Sequence, residues 1–269
     1  MSPLLRPVTA CLLSLLAQRA PADGAAPVRT EPALQADGGP APAELKELLS
    51  RADAAYQHRD DPNQLDQLGA DLVKAELIAP DDFEVLWRLS RYDFWMADDP
   101  QLSADARSLM GKKGWSYGDR ATTARPDRVE GWFFGAAGVG AYALGIGVLK
   151  ALSEGIEVRF KQRLEKAQQL DPTFLDGAIE NAWGRFYSEA PWPKRDLDES
   201  KRHLRLALRQ NPANVRARVY LAEDYLRQQH PKDARKLLEE VLSLPAGQYD
   251  APEELRYQAR ARALLVKLP

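Results

Sequence analysis

The side chains best equipped for chemistry in this chain are scattered. None of the three histidines, His58, His203 and His230, has a second ligand four residues on, the spacing by which one helix face presents two imidazoles to a metal. They fall in or beside polar helix surfaces and turns. Paired carboxylates stand at Asp60-Asp61, Asp81-Asp82 and Asp98-Asp99, and such pairs could divide acid and base roles. Each pair lies beside a proline (Pro62, Pro80 and Pro100), where helix capping accounts for it more simply. Gly138-Val139-Gly140 lacks the third glycine and the preceding strand of a dinucleotide motif. No G-x-S-x-G, H-E-x-x-H or Walker-type element occurs. The chain reads as a non-enzyme, with no cofactor and no metal expected.

Residues suited to binding are easier to find. Trp192 stands between Pro191 and Pro193, and a large apolar ring in such a loop either caps a hairpin or meets a partner. Residues 131–149 carry no charge and include Trp132, Phe133, Gly138 and Gly140. Their length would suit a membrane span. The glycines lower the hydrophobicity, however, and Trp132 is in phase with a soluble repeat, so a helix buried inside the protein is expected. Its glycines allow either close helix packing or a ligand against the backbone. Trp132, Phe133, Gly138, Gly140, Trp183 and Trp192 are therefore the candidate contacts for a small apolar ligand or a partner.

These residues are positioned by an internal repeat. An alanine followed five residues later by a proline recurs at Ala75/Pro80, Ala121/Pro126, Ala167/Pro172 and Ala207/Pro212. The size of the period indicates helical hairpins stacked in a solenoid, each unable to bury its apolar face alone. The alanine marks close packing of the second helix on the first, and the proline stops that second helix. The tetratricopeptide pattern fits best near the C-terminus, where Leu221, Ala222, Tyr225, Ala234, Leu238 and Val241 take template positions. Two earlier copies hold extra residues, expected to lengthen both of their helices equally. The fold class is all-α: an irregular tetratricopeptide-like helical-hairpin solenoid of about eleven helices, with helix ends at the four prolines.

Residues 1–22 read as a signal peptide, with an apolar run and Ala20-Pro21-Ala22 resembling a cleavage site. Residues 23–42, rich in Pro, Gly and Ala, read as a flexible linker, and residues 43–269 as the repeat domain. Cys11, the single cysteine, precedes the apolar run, whereas a lipoprotein box would follow it. The expected place is the periplasm, with a membrane tether through the N-terminus as the lipoprotein alternative. A net charge of −2 lacks the basic excess of a nucleic-acid footprint. The basic stretch over residues 194–218 reads as a solvated helix face.

Val85-Leu86-Trp87-Arg88-Leu89-Ser90-Arg91, Glu130-Gly131-Trp132-Phe133, Leu170-Asp171-Pro172, Trp183-Gly184-Arg185-Phe186-Tyr187 and Tyr220-Leu221-Ala222-Glu223-Asp224-Tyr225 together resemble the T-component family of tripartite ATP-independent periplasmic (TRAP) transporters. Trp-Arg-Leu-Ser-Arg and Trp-Gly-Arg-Phe-Tyr are also similar to the mitochondrial regulator-of-microtubule-dynamics proteins. The first resemblance implies an exported, often lipid-anchored, tetratricopeptide-like protein. It would associate with a periplasmic solute-binding protein and carry a small apolar ligand in an internal channel. A generic repeat scaffold for protein–protein interaction is the alternative.

Overall fold

A computed structural model describes residues 41–191 and 193–268. Residues 1–40, which include the expected signal peptide, Cys11 and most of the expected linker, lie outside them, as does Trp192. The described residues form twelve helices and no strand: α1 (Ala41–Tyr56), α2 (Pro62–Ile78), α3 (Phe83–Ala97), α4 (Ala104–Ala124), α5 (Val129–Ile146), α6 (Val148–Ser153), α7 (Ile156–Leu170), α8 (Ala178–Glu189), α9 (Leu197–Gln210), α10 (Val215–Arg227), α11 (Pro231–Ser243) and α12 (Ala251–Leu265). Helices α1/α2, α3/α4, α5/α7, α8/α9 and α10/α11 pair as five hairpins, and α12 packs on α10 and α11.

The repeat alanines work as their spacing implies. Ala75, Ala121, Ala167 and Ala207 are all completely buried. Each also offers its carbonyl to the N–H of the residue closing its helix, at 2.9 Å in every case, from Ala79, Arg125, Asp171 and Asn211. The prolines fall immediately after those caps, so the chain leaves each second helix in the same way. Three positions earlier stand Leu72, Leu164 and Leu204, all fully buried. The second copy has Gly118 there, for a reason found in α5.

Two expectations need correction. The extra residues are not shared equally between paired helices: α4 has 21 residues and α3 has 15. The run 131–149 is also not one helix. Gly147 takes φ +88°, a conformation that side-chain-bearing residues rarely adopt, and ends α5. The short α6 follows, and a second left-handed glycine, Gly155, at φ +67°, admits α7. Helix α6 is the one beyond the expected eleven.

Helix α5 is the only described helix long and apolar enough to cross a membrane. It is packed instead against α3, α4 and α7. One side bears Gly131, Gly135, Gly138 and Gly145, and α4 answers with Gly111, Gly114 and Gly118. A Cβ on Gly118 would overlap the Gly135 Cα, and one on Gly138 would overlap the Trp115 backbone nitrogen. The two backbones thus touch where other helix pairs interpose side chains. That is why a glycine replaces the repeat leucine in α4.

Candidate ligand cavity

The first helices of the hairpins line a cavity of about 1510 Å³. Helix α5 faces it with Phe133, Phe134, Ala137, Gly140, Ala141 and Leu144, the stripe next to its glycine side. Helix α3 contributes Trp87, Arg91, Phe94 and Trp95, and its C-cap residue Asp98 follows at the same helical spacing. Phe160 of α7 and Phe186 of α8 continue the aromatic surface, their rings stacked with centroids 5.4 Å apart. Trp87 stacks on Phe134 at 6.1 Å, and Phe133 meets Phe174 at 5.3 Å.

Helices α8, α10 and α12 supply charged side chains to the wall. Arg216 donates to Glu253 at 2.7 Å and reaches Asp98 at 3.1 Å. Glu223 accepts from Arg185 and from Arg260, both at 2.7 Å. At the far end of the chain Arg59 pairs with Asp250 at 2.6 Å and lies over the rings of Tyr56 and Trp95. Arg256 donates to the Trp95 carbonyl at 2.8 Å. These contacts join residues 161–191 positions apart, and through them the final helix and its lead-in close on the first two hairpins.

Titration behaviour separates the wall's arginines. Burial alone would lower Arg216, yet Asp98 and Glu253 outweigh it and hold the guanidinium above its ordinary value. Burial would raise the Glu253 carboxyl, and Arg216 keeps it below the usual range. For Arg256 burial prevails and the guanidinium is pulled down, because Asp98 is distant and Arg216 opposes it.

Of the residues expected to form a site, Phe133 and Gly140 line the cavity. Gly138 lies on the α4 side of α5 instead. The Trp132 indole donates to the Pro126 carbonyl at 3.0 Å, packing the interhelical turn. Trp183 is buried, with its Nε1 3.2 Å from Gln168 Oε1 and its ring edge-on to Phe160 and Phe186. Trp192 lies outside the described residues. Capping holds for Asp61 and Asp82, which accept from the backbone N–H groups of Asn63 and Glu84 at 2.8 Å. Asp98 departs from it, as a partner of Arg216.

His203 is not at a polar surface: it is buried, stacks on Tyr187 and pairs with Glu180 at 2.6 Å. Arg216, placed by sequence on a solvated face, is buried in the charged wall. No group of three or more metal-ligating side chains occurs among the described residues.

The C-terminal hairpins, residues 194–268, match the tetratricopeptide repeat family profile. The chain is also similar in fold to TTC0263, a thermophilic tetratricopeptide protein of Thermus thermophilus. That match has a TM-score of 0.62 and 17% identity, over 82% of this chain and 99% of the other. The flexible tandem repeat domain of a bacterial cellulose synthase component aligns over 81% of this chain and 92% of its own, at 19% identity. Its TM-score of 0.26 is too low for any structural inference. No curated protein matches the sequence. A tetratricopeptide-like helical array is thus established, of a kind consistent with protein–protein interaction.

Proposed function

We propose that this chain is a non-catalytic helical-repeat binding protein. It holds a small apolar molecule against the aromatic wall of α3, α5 and α7 and offers its outer helices to a protein partner. The observation that carries this reading is the cavity. A solenoid that grips an extended peptide uses an open concave surface, whereas here α12 and the residue before it tie back to Trp95 and Arg59. A volume of about 1510 Å³ exceeds the roughly 300–1,000 Å³ of ordinary ligand pockets. The resemblance to TRAP T-components supports the finer reading: an exported accessory protein of a TRAP-type solute transport system, whose partner is the periplasmic solute-binding component.

Native mass spectrometry of the purified chain, with affinity capture from a periplasmic fraction through a C-terminal tag, tests both levels. A co-purifying small apolar molecule and a captured solute-binding protein are expected. Captured extended peptides with no bound small molecule would favour the plain scaffold. Export predicts a mature N-terminus near Asp23, and a soluble cellular form retaining residues 1–19 would overturn it.

A further inference from the structure

An unmatched charge on the cavity wall refines this reading and rests on it. Seven arginines line the cavity, and five of them are paired with carboxylates. Arg59 has Asp250, Arg91 has Asp53, Arg185 and Arg260 share Glu223, and Arg216 has Glu253 and Asp98. Arg107 uses its Nε and Nη2 on the carbonyls of Ala97 and Asp99. Arg256 stands apart. Its closest carboxylate oxygen is Asp98 Oδ2 at 4.0 Å, an atom that Arg216 holds at 3.1 Å.

The Arg256 guanidinium is fixed although no carboxylate oxygen comes closer to it than 4.0 Å. Its carbon lies 3.2 Å from the centroid of the Trp95 ring, and Nη1 donates to the Trp95 carbonyl. Its Nε and Nη2 donate to no acceptor among the described residues, and neither is sealed from solvent. An arginine resting on an aromatic face keeps its in-plane N–H groups for a planar or tetrahedral anion, which it can bind through two parallel hydrogen bonds. Phe94, the chain neighbour of Trp95, faces the cavity with Phe133 and Phe134, so the apolar wall begins beside the unmatched charge.

We propose that the ligand is a single-chain amphiphile with an anionic head. Its carboxylate or phosphate oxygens accept from Arg256 Nε and Nη2, and its alkyl chain lies along Phe94, Phe133, Phe134 and Phe160.

Isothermal titration of the full chain with dodecanoate, dodecyl phosphate and dodecanol, each below its aggregation threshold, tests the assignment. At least one anion should bind about 10-fold or more tighter than dodecanol, the effect expected of a charge-assisted hydrogen-bond pair. Whichever anion binds tighter identifies the head as carboxylate or phosphate. Arg256→Gln should bring anion binding to the dodecanol level and leave dodecanol binding unchanged, while Arg256→Lys should keep part of the preference. Equal affinities for anions and alcohol in the wild type would overturn the assignment, as would Arg256→Gln weakening all three alike. If Arg256→Gln does not fold by far-UV circular dichroism, the wild-type and Arg256→Lys comparisons decide. Failure of all three compounds to bind would overturn the apolar-cavity reading itself.

Discussion

Helix α5 turns one side to α4 and the next to the cavity, and a missing side chain means something different on each. On the α4 side the space left by Gly138 is filled by the backbone around Trp115. On the cavity side a Cβ added to Gly140 would meet only the edge of the Phe160 ring, at 3.4 and 3.8 Å. Helix α3 shows the same division in charge. Asp93 faces α4, is buried, and has one oxygen without a partner, whereas Asp98 at the cavity wall is held by Arg216. The α4–α5 seam is built for closeness, backbone against backbone. The cavity wall is built for accommodation, and five of its seven arginines are paired with carboxylates.

The sharpest way to break the comparison is to enlarge Gly138. Backbone cannot rotate away as a side chain can, so Gly138→Leu must force α4 and α5 apart. The expected loss is about 3 kcal/mol or more, the upper end of what overpacked cores show. It would appear as an early thermal transition by circular dichroism. A variant that melts with the wild type would mean that the seam is loose.

Much of this seam was legible and much of the cavity was not, for a physical reason. The alanine–proline period is a local signal: one small buried residue and one helix stop, five positions apart, written four times. Trp132 and the glycines of residues 131–149 announced a buried helix for the same reason. Gly111, Gly114 and Gly118 in the partner helix repeat the small-residue spacing, and the two runs together point to packing at Gly138. The break at Gly147 was hidden because the run stays uncharged through it. The charged wall depends on pairs such as Arg59–Asp250 and Arg216–Asp98, which only the closure of the array brings together. A buried arginine and a solvated one look alike in sequence, so Arg216 and Arg256 gave no sign.

A smaller effect should come from Asp93. Desolvation raises its carboxyl from the ordinary 3.8 to about 7, only partly relieved by Lys113 at 3.8 Å. The folded chain therefore holds this proton more tightly than the unfolded chain does. By linkage, stability from this group is fully present below about pH 4 and is lost as pH rises toward 7. The loss can reach about 1.4 kcal/mol per pH unit. Asp93→Asn should remove that part of the slope, seen as a difference between variant and wild type in urea denaturation from pH 4 to 7.5. Parallel curves would show that the seam admits water to this carboxylate.

The smallest expected change in stability is the one that bears most on function. Gly140→Leu adds a side chain where α5 meets the cavity, not where it meets α4. Replacing a helical glycine contributes up to about 1 kcal/mol through propensity, and the new methyl groups have room beside Phe160. The melting temperature should stay near the wild-type value or rise slightly. Ligand binding should respond in the opposite sense, because the added volume occupies the space between Phe133 and Phe160 that an alkyl chain would use. A clash costing about 1–3 kcal/mol would weaken dodecanoate roughly 10-fold or more. Gly138→Leu and Gly140→Leu, two residues apart on one helix, should thus separate folding from binding. If Gly140→Leu melts as early as Gly138→Leu and still binds dodecanoate, the cavity side of α5 is ordinary core and the division between its two faces is wrong.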